Sequence, residues 1–387
     1  MNKLLLSNFK NILMVLLALS ISLSISVSNI ILITLLIIVV LEGDFNNKIK
    51  KILSSNWMVS IILLLLLYYI YWIFFGNFSD SNWLLKRVSL LWLLPVFYST
   101  NISNKTTEKS VFAFFISMFI SSVIAISENY GLLNINGENW TNSAFLKYTE
   151  HNVFLASSIL ILIFSYFKLS LSPLFKIILL IFLPVYLFSL FTEAGKSGQL
   201  VFIVLLTIFI FVELRKNIKY LALVLFLIYL SVFVVYNTSE ALQKRFTKEI
   251  SIFLSKESSS RSLLFTHSLD IIKKKPIIGY GTGSFTDIFR KINKKTEKIV
   301  RYNHKTPHNN YLYVWIELGI LGLIILLSIF YFQIRELIKL KDGFVRILLP
   351  IMYLAIMFTD SYLFTHNTLV LYIFLSIIAV NYQHKPS

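Results

Sequence analysis

Two groups of residues in this chain have the types and placement that chemistry requires. The first is Pro307-His308-Asn309-Asn310, where a basic stretch meets a long apolar one. A neutral imidazole there can take a proton from an attacking hydroxyl, because its ordinary pKa lies near physiological pH; the plainer reading is a histidine that merely opens a helix. The second group is a set of cations. Arg261 follows a Ser-Ser-Ser run, and its planar guanidinium can grip a phosphate through two hydrogen bonds. Lys196, flanked by Gly195 and Gly198, opens an apolar helix. Its ammonium and the free amides of a helix start together favour an anion such as a diphosphate. Lys86 and Arg87 sit about one turn inside a predicted span. A charge at a membrane-helix centre costs ~2.5–3.5 kcal/mol on insertion scales, which makes such residues functional candidates. Snorkelling to the headgroups is the competing account for Lys86, Arg87 and Lys196 alike.

Other residues are read as supporting. Glu317 lies nine positions after His308 on the same apolar stretch. It is expected to be buried and to orient another group, with Gly319 and Gly322 permitting close helix approach. A loop at 129–151 contributes Glu138, Trp140, Lys147, Tyr148, Glu150 and His151. A metal site could be drawn from Glu150, His151, His304 and His308, but only His304 and His308 have helical i, i+4 spacing and Pro307 interrupts it, so no metal is expected. The absence of cysteine excludes disulfides and thiolate metal sites. GYGTGSF, residues 279–285, lacks the preceding strand and following Lys-Ser/Thr of a phosphate loop and reads as a tight turn.

The elements that must hold these residues are membrane helices. The 387 residues are 57% hydrophobic and 14% charged with mean hydropathy +0.75, and apolar runs of 17 or more recur. That composition implies an all-α, polytopic membrane protein, and the runs are too long for an outer-membrane barrel. No small-residue cleavage site follows the first run, which is expected to be a retained helix. About twelve spans are predicted, at 9–27, 29–41, 57–75, 83–99, 110–128, 152–168, 173–191, 197–213, 219–236, 309–332, 345–363 and 367–382. They define an N-terminal membrane domain of about nine spans (1–236), a large loop (237–308) and a C-terminal segment of about three spans (309–387).

Charge sets the expected orientation. With the N-terminus inside, seventeen of the 36 Lys and Arg fall on the cytoplasmic side and four on short outer loops and helix ends. This positive-inside bias puts both termini in the cytoplasm. The remaining fifteen lie in the outer loop, whose length exempts it from the rule. Solvated helix faces would account for them; so would attraction to a phosphate-bearing substrate or to anionic lipid headgroups. Nucleic acid is not an expected partner. Within the loop, Leu242, Phe246, Ile250 and Phe253 form one amphipathic stripe, Arg261–Lys275 reads as a second helix stopped by Pro276, and Phe285, Ile288, Phe289 and Ile292 mark a third. Such helices would roof the membrane domain.

PHNNYLYVWIELGILGLI resembles the His-Asn-x-x-Leu…Glu-x-Gly-x-x-Gly segment of the O-antigen ligase and O-antigen polymerase superfamily of bacterial membrane glycosyltransferases. SRSLLFTHSLDIIKKKPIIGYGTGSF is similar to that family's Arg…Pro-x-x-Gly-x-Gly loop segment, and a twelve-span plan with its long loop between spans nine and ten also fits. The resemblance implies a GT-C-like membrane enzyme of the bacterial inner membrane with a periplasmic active face. It would move a glycan from undecaprenyl diphosphate to lipid A–core or to a growing glycan, with no cofactor and no metal. His308 would match the histidine that activates the acceptor hydroxyl, and Arg261 a loop arginine that engages the diphosphate. Lys196 stands where the family usually has arginine, which keeps the charge and loses the fork. His151 and Asn309 would be supporting residues. Two other functions stay open: a transporter or flippase for a lipid-linked anion, and a scaffold protein, which leaves unexplained why five of the six histidines (His151, His267, His304, His308 and His366) are expected on the outer side.

Overall fold

The structure, a computed structural model, describes residues 3–76, 78–135, 142–168, 173–193, 195–214, 260–293 and 304–382, with single positions between 219 and 243. The predicted span at 219–236 falls largely outside these residues, and the stripe residues Leu242, Phe246, Ile250 and Phe253, with Glu138 and Trp140, fall wholly outside them. The described chain is helical apart from a two-residue antiparallel ladder pairing Asn142–Ser143 with Leu146–Lys147. Its helices are α1 (Lys3–Ser20), α2 (Ile25–Leu41), α3 (Phe45–Leu53), α4 (Asn56–Phe75), α5 (Ser81–Ser89), α6 (Leu93–Tyr98), α7 (Asn104–Asn129), α8 (Tyr148–Lys168), α9 (Pro173–Thr192), α10 (Lys196–Leu214), α11 (Ser260–Lys274), α12 (Phe285–Asn293), α13 (Asn310–Leu337), α14 (Gly343–Arg346), α15 (Leu348–Ile356) and α16 (His366–Asn381).

Among the described residues, α4, α7, α8, α9 and α13 are each long and apolar enough to cross a membrane, and the α2–α3 pair, bent by 113°, makes up to six. Four further apolar helices are shorter. The predicted span at 83–99 is not one straight rod, since α5 passes through a 3-10 turn (Leu90–Trp92) into α6. The predicted span at 345–363 ends at Ile356, and residues 357–361 form a turn. The two predicted loop helices within the described residues are present as α11 and α12.

Contacts divide the chain into two compact units. The first unit comprises 1–14, 31–107 and 258–383. Its centre is α4 packed along α13. One side of α4 buries Trp57, Ile61, Leu64 and Tyr68, while Leu63, Ile70 and Ile73 stay exposed; a helix apolar all round with one side uncovered is suited to lipid. Glu336 ties one end of this pair, its carboxylate accepting from Ser55 Oγ at 2.9 Å and the Trp57 amide at 3.2 Å. It thereby serves the orphan amides at the start of α4.

The second unit comprises 15–30, 108–257 and 384–387. In it α8 packs against both α9 and α10. Tyr186 Oη of α9 donates to the Phe115 carbonyl of α7 at 2.5 Å, and Phe119 stacks on Phe182 with centroids 4.5 Å apart.

Candidate active site

At one end of the first unit the connectors around 76–81, 276–285, 304–309 and 357–365 are joined by hydrogen bonds. Ser81 Oγ donates to the Thr282 carbonyl at 2.8 Å, and Ser79 binds Asp287 through its amide at 2.9 Å and its hydroxyl at 3.0 Å. Lys305 Nζ lies 3.5 Å from Asp80 and 5.4 Å from the Trp83 ring centre.

The glycine turn is spliced into a break in α13. Gly319 interrupts that helix at φ 68°, ψ −167°, a conformation open to glycine but strained for any L side chain. A break inside a membrane helix frees backbone groups that must find partners. Here the Tyr280 and Gly281 amides donate to the Ile316 and Glu317 carbonyls, each at 2.9 Å, and the Ile320 amide donates to the Pro276 carbonyl at 3.0 Å. A Cβ on Gly319 would collide with the Ile277 carbonyl. The close approach that Gly319 permits is therefore to the loop, not to another helix as the sequence suggested.

Glu317 completes the splice. It is fully buried, and its carboxylate accepts from the Phe285 amide at 3.0 Å and from the Gly283 amide. The turn that only superficially resembles a phosphate loop does cradle an acceptor: the carboxyl group of its own chain's Glu317.

Ahead of that break, Asn309 caps α13. Its Oδ1 accepts from the Tyr311 and Leu312 amides at 2.9 and 3.0 Å, and its Nδ2 reaches the Phe358 carbonyl at 3.3 Å. The Asn310 amide donates to the Met357 carbonyl at 2.8 Å and its Oδ1 accepts from the Leu363 amide at 3.1 Å. These bonds fix the start of α13 to the turn between α15 and α16, and they fix His308 there in the left-handed region at φ 51°.

His308 Nδ1 is 2.8 Å from Asp360 Oδ1, which also accepts from the Ser361 amide at 2.7 Å. Burial alone would raise the Asp360 pKa, but the hydrogen bonds from His308 and Ser361 and the Arg261 charge together hold it below the ordinary carboxylate value. An ionised carboxylate only accepts, so a neutral His308 ring in this arrangement carries its proton on Nδ1 and presents the Nε2 lone pair. That nitrogen is 3.1 Å from His304 Nδ1. Burial and the neighbouring His308 lower the His304 pKa, Asp360 partly opposing them, which disfavours its charged form. Arg261 lies exposed in the first turn of α11, which packs on α13.

The remaining candidates fall elsewhere. Arg87 of α5 stands over the Trp83 ring at 5.5 Å, and Lys86 is exposed on the same helix. Lys196 and His151 belong to the second unit. His151 is fully buried at the start of α8, its Nδ1 2.7 Å from Glu193 Oε1 and its Nε2 3.0 Å from Ser121 Oγ. Ser189 Oγ donates to the same Glu193 oxygen at 2.9 Å, and Gln199 Nε2 donates to the Glu193 carbonyl at 2.9 Å. Lys196 therefore opens α10 directly after a clamped turn, where Gly195 and Gly198 lie against Asn152 with no room for a Cβ. Among the described residues no group of three or more His, Asp or Glu is placed to hold a metal ion.

Two residues of the His308 cluster escaped the sequence reading. Asp360 was absorbed into a predicted span, yet it is the sole acidic residue after Asp342, and a carboxylate at the edge of an apolar stretch is a signal in itself. His304 was weighed only as a metal ligand.

A helical membrane protein with an imidazole–carboxylate pair and a guanidinium at one end has the groups needed to activate a hydroxyl near an anion. Residues 177–327 match the family model described as O-Antigen ligase. Over 112 residues the chain is 28% identical to a Rickettsia felis protein named "Putative polysaccharide ligase", an alignment covering 27% of this chain and 26% of that one. The chain thus spans about a quarter of the length of the curated relative it matches. The match falls on the region that carries the resemblance read from the sequence: residues 177–327 are similar to the O-antigen ligase family. That segment contains Lys196, Arg261, His308, Asn309 and Glu317, while Lys86, Arg87, His151 and Asp360 lie outside it.

Proposed function

We propose that the protein is a glycosyltransferase of the O-antigen ligase type, transferring a glycan from undecaprenyl diphosphate to lipid A–core at the periplasmic face of the inner membrane. The observation that carries this reading is the His308–Asp360 pair at the entrance to α13, with the Arg261 charge acting on Asp360. Asp360 holds the imidazole with Nε2 as its basic nitrogen. The acceptor's hydroxyl gives its proton to that nitrogen as its oxygen bonds to the anomeric carbon of the donor. The bond from that carbon to the diphosphate oxygen breaks, and Arg261 stabilises the charge that develops on the leaving group. Lys196, Lys86 and Arg87 are further candidate diphosphate ligands, Lys196 from the family resemblance and the other two from their place at the membrane edge. Glu317, Asn309 and His151 support the framework rather than react. No metal and no cofactor take part.

This reading places the chain in the membrane with about twelve spans, both termini cytoplasmic and residues 237–308 as a periplasmic roof. The related polymerase, which joins repeat units to each other, uses the same donor and the same base and differs in acceptor. A deletion strain separates the two. Loss of a ligase leaves polymer on undecaprenyl diphosphate and none on lipid A, whereas loss of a polymerase leaves single repeats on lipid A. Complementation with Arg261→Ala or His308→Ala then tests the enzyme against a flippase. Wild-type glycan transfer by both variants at full protein level would retire the enzyme.

A further inference from the structure

Both ring nitrogens of His308 are engaged. Asp360 takes Nδ1 at 2.8 Å, and His304 Nδ1 stands 3.1 Å from Nε2. Two lone pairs cannot face each other at that distance, so one proton lies between the two imidazoles. In the form of His308 that can act as a base, protonated at Nδ1 only, that proton belongs to His304, whose Nδ1–H donates to the His308 Nε2 lone pair. That lone pair is the one a general base needs, and it serves one partner at a time. The rings meet edge to face, with centroids 5.0 Å apart at 79°, so His304 stands over the approach to this nitrogen.

The geometry points to His304 as a positioning residue that occupies the acceptor's place on the base. In the resting enzyme it donates to Nε2 and keeps the His308 ring in register with Asp360. When the acceptor binds, its hydroxyl displaces the His304 N–H and becomes the new donor to Nε2. The exchange replaces one hydrogen bond with another, so it costs little when a hydroxyl arrives and leaves the base covered when none does. His304 lies three residues before Pro307, which restricts the backbone between the two histidines. Neighbouring Lys305 is paired with Asp80 and placed over Trp83, so the segment bearing the latch is anchored beside it.

This inference rests on His308 being the base, and the test separates the two. The full-length protein is purified, and steady-state transfer is measured with a lipid-linked glycan donor and varied acceptor, for wild type, His308→Ala, His304→Ala and His304→Asn. His304→Phe, which keeps a ring and removes the donor, stands in where Ala lowers the folded yield. Without the competing donor, the KM for acceptor falls about fivefold, the size of one hydrogen bond between neutral groups, while kcat stays within about threefold. His304→Asn, whose amide N–H can still donate to Nε2, returns KM toward wild type. A kcat loss in His304→Ala as large as that in His308→Ala, or an unchanged KM for acceptor, would overturn the latch. Full activity in His308→Ala refutes the base itself, whatever the His304 variants do.

Discussion

In the proposed transfer His308 and Asp360 act as one unit, joined at 2.8 Å, so their removal is expected to be non-additive. Asp360→Asn keeps the shape of the side chain but removes the ionised acceptor that sets the imidazole tautomer. We expect transfer to fall by about 10²-fold or more, the usual worth of a placed general base, with protein level unchanged. The double variant with His308→Ala should be no worse than His308→Ala alone. Arg261→Lys keeps the charge and loses the two-pronged contact; it should retain part of the activity that Arg261→Ala loses, as read by kcat/KM for donor. The same residues give the junction a pH response. Asp360 is held below its ordinary pKa, so its contribution to stability is present above that value and disappears as pH falls through the depressed one. His304 is also lowered, from 6.5; the unfolded chain then takes up its proton first, and stability again declines as pH drops below about 6.5. Thermal unfolding followed from pH 8 to 4 should show a falling midpoint, and His304→Asn should remove the upper part of that fall. His308 was legible because Pro-His-Asn-Asn at an apolar boundary is a local pattern. Asp360 was not, because its partner lies 52 residues away and hydropathy carried the predicted span past it.

At the scale of elements, the break in α13 decides where the loop sits. Glycines at 279, 281, 283 and 319 were visible in the sequence, and the tight turn followed from them. Their pairing was not visible, since a hydropathy run says nothing of a left-handed residue at Gly319. Gly319→Ala must move the helix or the Ile277 carbonyl, and it is expected to destabilise the protein and loosen residues 276–285 toward proteolysis. Glu317→Gln replaces one of the two oxygens that accept from the Gly283 and Phe285 amides with an NH2 that cannot accept. We expect a loss of about 1–3 kcal/mol, the cost of leaving a buried donor unsatisfied, measurable as a lower midpoint in thermal unfolding. Loss of activity in Glu317→Gln with an unchanged midpoint would instead assign Glu317 a direct chemical role.

At the scale of the molecule, composition was enough for the class, because runs of apolar residues this long have no other stable setting than a bilayer. The number of crossings was less legible. The predicted span at 29–41 lies within α2, and its pairing with α3 across a 113° bend is not something hydropathy shows. The topology can be mapped without background labelling, since the chain has no cysteine. Single cysteines at Ser79 and Lys305 should react with an impermeant thiol reagent from the periplasmic side, and one at Lys50 only after the membrane is opened.

The most direct test of the account is transfer by the purified, full-length protein in lipid nanodiscs with undecaprenyl-diphosphate-linked glycan, lipid A–core acceptor and a chelator present. The account predicts glycosylated acceptor and free undecaprenyl diphosphate in equal amounts from the wild type, and about a hundredth or less of each from His308→Ala or Asp360→Asn. Turnover by those two variants at the wild-type rate would contradict it.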